Sequence, residues 1–135
     1  MINTPTYYLV ASLLSQNGFG SLRTDIFGGE WGRCDEQILV IEGIGTPADP
    51  KELYENPSVQ ILVRGDKRQA SHEVYATAKN ISDFMLTLPD SVDIDGVCYT
   101  GFEEASNIAQ LGKDDNERFI YSMNFSTFRK KTLTE

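Results

Sequence analysis

The stretch from residue 57 to residue 88 limits what this chain can fold into more than any other. It opens with a β-rich run, Ser58-Val59-Gln60-Ile61-Leu62-Val63, turns at Arg64-Gly65-Asp66 and continues as a long amphipathic segment. Ala70, Val74, Ala78, Ile81, Met85 and Leu88 recur at spacings of four, four, three, four and three, which lines them up on one face of a 3.6-residue helix. Such a stripe has to be buried. Asp66 and Gln69 have the spacing of a capping box, Ser71 is a later cap candidate, and Pro89 forbids continuation because it lacks the N–H and biases Leu88 away from helical geometry. A helix filling this interval spans about 20 residues, or roughly 30 Å at 1.5 Å per residue. That length covers one face of a small sheet.

The flanking segments supply the sheet. Thr4 as N-cap with Pro5 at the first helical position predicts a helix over 5–16, with Leu9, Val10, Leu13 and Leu14 as its apolar stripe and Asn17-Gly18 as its stop. Residues 18–33 are dense in glycine around Phe19, Phe27 and Trp31, and fit either an irregular loop pinned by its aromatics or a ligand loop. Gln37-Ile38-Leu39-Val40-Ile41 is a continuous apolar run that suits a strand covered on both faces. Val92-Asp93-Ile94 and Val97-Cys98-Tyr99 flank Asp95-Gly96, a strong hairpin signal. Residues 101–111 are polar and ambiguous. Phe119, Tyr121, Met123 and Phe125 alternate with Ile120, Ser122, Asn124 and Ser126, the period of a strand with one buried side. The expectation is one α+β domain over 1–135, a mostly antiparallel or mixed sheet of about five strands with two main helices packed on one face.

Composition excludes several functions. With 135 residues, 40% apolar and 24% charged, the chain has the size and balance of a globular domain that needs no metal or disulfide staple. A net charge of -8 argues against nucleic-acid binding through clustered cations. The one basic run, Arg129-Lys130-Lys131, reads as a solvated C-terminal end. Cys34 and Cys98 are too few and too isolated for a disulfide framework or a zinc site, which fits synthesis in a reducing cytoplasm. No basic-then-apolar leader opens the chain, and no window approaches the ~18 apolar residues of a membrane span, so no secretion or membrane contact is expected.

Catalytic chemistry finds little support. His72 is the only histidine; it lies off the apolar stripe of the central helix and cannot build a histidine-rich metal site or bring a second base to a triad. Gly43-Ile44-Gly45-Thr46-Pro47-Ala48 imitates the dinucleotide pattern, but Pro47 and Pro50 prevent the helix whose N-terminus would receive the pyrophosphate. Residues 43–57 read instead as a connecting loop that can project and touch a partner. Asp114-Asp115-Asn116-Glu117 invites a calcium loop, but Phe119 stands where the sixth-position glycine is needed. A solvated turn with Asn116 at positive φ is the better reading. No nucleophile elbow, Cys-x-x-Cys or phosphate loop is present, and no cofactor, metal or catalytic residue is expected.

Three stretches, taken together, resemble a known family. Gly112-Lys113-Asp114, Arg118 and Tyr121-Ser122-Met123-Asn124-Phe125 look like the closing motif of phage tail terminator and minor tail proteins. Val59-Gln60-Ile61-Leu62-Val63-Arg64-Gly65 with the following helix resembles the same family, as does the opening order of helix, Leu13-Leu14, Gly20 and Ile26-Phe27-Gly28. The motifs are collinear and cover most of the chain. Glu117 departs from the pattern, standing where a glycine is expected in the turn.

The resemblance implies a non-enzymatic virion component, made in the host cytoplasm and placed at the tail end or neck. It implies a ring, a hexamer by family likeness, that caps the tail tube, stops its polymerisation and joins the head connector. DNA then passes through an acidic lumen that repels it rather than binding it. Ring subunits need two unlike patches, and the loops at 18–33 and 43–57 are plausible halves. Arg64, Asp66 and Arg118, which border turns beside strands, are candidates for cross-subunit pairs, with intramolecular turn stabilisation as the alternative for each. Another head–tail connector, or a small acidic enzyme subunit, stays open beside the terminator reading.

Overall fold

Strand β4, Ser58–Arg64, lies at the centre of a five-stranded sheet. The computed structural model describes residues 4–43 and 54–130. Beside β4 run β2, Gln37–Glu42, and β8, Phe119–Ser126, both antiparallel to it. The register sets Val40 and Met123 on either side of Ile61, and Ile38 and Tyr121 on either side of Val63. Because side chains alternate along strands, these residues share one apolar face. An edge strand β7, Glu103–Lys113, pairs antiparallel with β8, and a short β1, Ile26–Gly28, pairs parallel with β2, giving the order β1-β2-β4-β8-β7. Two helices, α1 (Thr6–Gln16) and α2 (Ser71–Leu86), pack on the apolar face, and their buried residues Leu9, Val10, Leu14, Val74, Ala78, Ile81 and Met85 complete the core. The α+β expectation of a mixed sheet with two helices holds.

A second, four-stranded sheet completes the architecture. Hairpin β5–β6, Ser91–Ile94 and Val97–Thr100, turns at Asp95 (φ 50) and Gly96 (φ 86); two left-handed residues in succession match the twist of a tight hairpin. With β3 (Tyr54–Glu55) and β9 (Arg129–Lys130) it forms the order β3-β9-β6-β5. Tyr99 of β6 is fully buried, and its hydroxyl shares a 3.0 Å hydrogen bond with Thr6 Oγ1 at the start of α1. Arg129 overturns the solvated-end reading of the basic run. It is buried and donates from Nη1 to the Thr4 carbonyl at 2.6 Å and to Thr6 Oγ1 at 3.2 Å, tying the last strand to the first helix. Lys131 lies outside the described residues, as do residues 44–53 of the dinucleotide-like and proline-rich loop.

Element ends shift by capping chemistry. Helix α1 begins at Thr6 with Pro5 extended at the N-cap (φ -63, ψ 146), one residue later than expected, and ends before Gly18 at φ 85. Helix α2 runs 16 residues rather than about 20. The Asp66–Gln69 pair forms, with Gln69 Oε1 accepting the Asp66 N–H at 2.9 Å, but it closes a separate turn ahead of the helix. At the helix start Glu73 accepts the Ala70 N–H at 2.9 Å. Val74, Ala78, Ile81 and Met85 are buried, while Ala70 and Leu88 at the ends of the stripe are half-buried. The ambiguous 101–111 segment is strand β7, most of whose side chains are exposed. In the turn before β8 the left-handed residue is Glu117 (φ 61) rather than Asn116.

Ile81 sits fully buried at the middle of the α2 stripe. Ile81→Ala is expected to cost about 2–5 kcal/mol through lost transfer energy and the cavity left behind. Thermal or denaturant unfolding checks this, and an unchanged midpoint rejects the packing of that helix face.

Candidate subunit-interface site

The sheet face turned away from the helices begins with an unusual register pair. Gln37, the first residue of β2, stands opposite Arg64, the last of β4. Both are buried, and buried polar groups need partners. The glycine-aromatic loop supplies them. Gln37 accepts the Gly32 N–H at 2.8 Å and donates to the carbonyls of Gly32, at 2.9 Å, and Cys34. Arg64 donates from Nε to the Asp35 carbonyl at 3.1 Å and from Nη2 to the Cys34 carbonyl at 2.8 Å. Trp31 lies against the guanidinium, its ring centroid 4.3 Å from Cζ, a geometry that favours a partly desolvated cation. Gly32 lies so close to Phe27 that an added Cβ would collide with that ring. Residues 31–35 thereby fold back onto the sheet, and Leu39 on the same face is buried, as the two-sided burial of β2 requires.

Arg118 closes the corner from the other side. Its Nη1 meets Asp35 Oδ1 at 2.9 Å and its Nε meets Asp114 Oδ2 at 2.9 Å. Asp114 Oδ1 accepts the N–H groups of Asn116 and Arg118, each at 3.0 Å, so one carboxylate shapes the whole turn. Burial alone would raise the Asp114 pKa, but the hydrogen bonds from Arg118 and Asn116 and the Arg118 charge outweigh it and hold the carboxyl below the ordinary 3.8. Arg64 is pulled below its ordinary value by burial first and the Arg118 charge second, against the opposing pull of Asp114, Cys34 and Asp35.

The structure brings two of the three predicted site residues together and leaves the third apart. Arg64 and Arg118 belong to one cluster in which every partner named above is intramolecular. Asp66 lies beyond Gly65, where its Oδ1 accepts the Arg68 N–H at 2.5 Å. Asp35 is the open side of the cluster, with its side chain 55% exposed against 11% for Arg118. Sequence reasoning flagged Trp31 as needing burial and weighed Asp114 for metal, but missed Asp35 and Gln37, whose roles depend on a fold-back that no local spacing announces. His72 is exposed. Among the described residues no three His, Cys, Asp or Glu side chains gather in a metal-binding group. The arrangement is chemically a clamp: two fixed cations grip backbone carbonyls and carboxylates and hold two loops at one sheet end.

Comparison with known proteins settles the family. Residues 13–129 match the family described as bacteriophage tail terminator protein. The chain belongs to this family. The match runs from the last turn of α1 through both sheets and the clamp to the start of β9, so the terminator family's sequence pattern spans most of the elements described above. One solved structure superposes on this terminator with a TM-score of 0.55 at 8% identity, covering 95% of this chain and 92% of its own; at that identity the likeness is one of fold alone. No curated protein matches the sequence. The family assignment makes the chain a structural component of the phage tail, not an enzyme.

Two predictions come from the clamp. Because the folded Asp114 pKa is depressed, its stabilisation is fully present above the unfolded value and is lost as pH falls through the folded value. Asp114→Asn is therefore expected to be less stable than the parent near neutral pH by about 1.5–3 kcal/mol, the range for hydrogen bonds to charged groups. That gap should close in acid, and denaturant midpoints across pH measure it; a gap independent of pH rejects the linkage. Glu117 at φ 61 carries a left-handed cost of about 1–2 kcal/mol, only partly offset when glycine's greater unfolded-state freedom of about 0.5–1 kcal/mol is introduced. Glu117→Gly is expected to raise stability by the difference, and a lowered melting temperature would contradict it.

Proposed function

We propose that this protein caps the phage tail tube as a six-subunit ring at the neck end, stops tube polymerisation and presents its outer face to the head connector. The family match over residues 13–129 carries the reading. A terminator has to bind a growing tube tightly yet not extend into a tube itself, which requires two unlike ring faces. Net charge of -8 suits a lumen that lets DNA pass without holding it.

The clamp gives the predicted contact residues different tasks. Arg64 and Arg118, both buried, act by fixing the shape of loop 31–35 and turn 114–118, while Asp35 and the half-buried Asp66 offer carboxylates to a neighbouring subunit. The free protein is then monomeric or weakly associated and rings when tube ends or high concentration supply neighbours, because contacts through carboxylates as open as Asp35 are individually weak.

Light scattering over a concentration series, with and without polymerised tail tubes, tests the mechanism. Expected are short, capped tubes carrying one ring, with His72→Ala behaving as the parent because His72 is exposed and outside the clamp. Open-ended filaments of the pure protein, or no association with tube ends at any concentration, reject the capping role. Loss of capping by a normally folded, ring-forming His72→Ala protein rejects the passive reading.

A further inference from the structure

We infer that the ring contact is made by the two outer edges of the five-stranded sheet, strand β7 of one copy seating in the cleft beside β1 of the next. The inference rests on the terminator reading above and names its interface. The order β1-β2-β4-β8-β7 puts β1 and β7 at opposite ends of one sheet, so the subunit carries two unlike edges facing away from each other.

The β1 edge is short and concave. Leu22 bridges Ile26, and beside the remaining Phe27–Gly28 backbone opens a cleft of about 410 Å³ whose walls include Tyr8, Trp31, Arg23, Arg33 and Glu30. Among the described residues Arg23, Arg33 and Arg68 are the exposed arginines, so two of the three line this cleft. In a chain of net charge -8 that is a local excess of positive charge over the single Glu30.

The β7 edge is long and projecting. Its 11 residues pair with the eight of β8, and the surplus is taken up by register slips between Glu104 and Ser106, Ser106 and Ala109, and Gln110 and Gly112. Slips of this kind interrupt the outer row of backbone groups and twist the strand, which discourages indiscriminate edge-to-edge growth. Residues 103–107 are all exposed, and the strand begins with Glu103 and Glu104 against one cation, Lys113, at its end. Strand and cleft are therefore opposite in net sign. The partner that carries this acidic strand at the right place is a second copy of the same chain, and a contact between different patches of identical subunits repeats by rotation. Two β7 edges meeting would instead make a two-fold pair and stop at a dimer.

Sedimentation velocity and negative-stain microscopy of the full-length chain test the contact with Arg33→Glu, Glu103→Arg, the double variant and Asn107→Pro. Asn107 falls inside a slip and has no register partner in β8, so proline there is placed away from every registered β7–β8 pair. Each single charge reversal is expected to weaken self-association about tenfold. The double variant should recover most of that loss, and Asn107→Pro should abolish rings with an unchanged circular dichroism spectrum. Association of the parent should also weaken with salt. Single reversals that ring like the parent, a double variant no better than either single, or parent dimers joined β7 to β7 overturn the contact. If Asn107→Pro fails to fold, the charge cycle decides alone. Tube capping is scored in parallel: a parent that caps tubes while the edge variants ring and cap equally well refutes the contact only, whereas a parent that caps nothing refutes the terminator mechanism itself.

Discussion

Burial of the inner face of β4 is the constraint on which the other elements depend. Ile61 is fully buried between Val40 and Met123, and Val59 lies beside an equally buried Phe125. A large apolar side chain taken out of water contributes about 1.5–3 kcal/mol, while fixing one residue's backbone costs about 1–2 kcal/mol. The three central strands close that balance only with a cover. The α2 stripe, from Val74 to Met85, and the Leu9, Val10 and Leu14 stripe of α1 supply it. Strands β3 and β9, two residues each, are too short to order themselves. Their place depends on Arg129 reaching the Thr4 carbonyl and Thr6, and on Tyr99 meeting the same threonine.

Buried arginine is the chain's recurrent device for attaching irregular segments to that core. Arg64 binds the carbonyls of Cys34 and Asp35, and Arg129 binds that of Thr4. Carbonyl partners stay neutral at every pH, so these two attachments do not titrate with their acceptors. Arg118 differs, because its partners are carboxylates on Asp35 and Asp114. Desolvating a guanidinium is expensive, and an apolar replacement often serves stability as well or better. What the guanidinium adds here is direction: its fixed fork sets where a backbone must lie. A face that has to match a neighbour needs loop positions more than it needs extra stability.

The central unit was legible in the sequence because its signals are local and agree with one another. The period of Val74, Ala78, Ile81 and Met85, the turn residues Asp95-Gly96 and the alternation of Tyr121, Met123 and Phe125 each report a burial pattern along a short span. Strand β7 escaped because it has little burial to report: with both faces largely exposed, its sequence has no alternation, and only pairing with β8 makes it a strand. The second sheet escaped for a related reason, since β3 and β9 are too short to show a period. Arg64 and Arg118, singled out as possible cross-subunit residues from their positions beside turns, lie together in the clamp. Gln37 was hidden by reading as the polar start of an apolar run, and Asp35 by lying in a loop whose fold-back is decided by Trp31, Gly32 and Phe27 packing on the far face. The glycine that the family pattern places at position 117 has a backbone reason, since Glu117 adopts the left-handed conformation itself.

The sheet's twist bears on whether contacts between its edges make a ring or a flat array. Neighbouring strands rotate by roughly 20–25°, so across the four steps from β1 to β7 the two edges differ in direction by about 80–100°, less whatever the register slips in β7 add or remove. An edge-to-edge contact between copies therefore cannot simply continue one plane of strands. It carries a rotation with it, repeated identically at every subunit. Repeated rotation produces a closed ring when the shift along the axis is zero and a helical filament when it is not. Twist supplies the turning; the shift is left to whatever fixes the height of one subunit against the next. In the ring proposed above, that task falls to the loops that Arg64 and Arg118 hold at the end of β2, β4 and β8, a short distance in sequence from both edges. A corner made rigid by buried cations sets that height more sharply than a mobile loop, which under the proposed capping role connects the cost of the clamp to the difference between a cap and a tube.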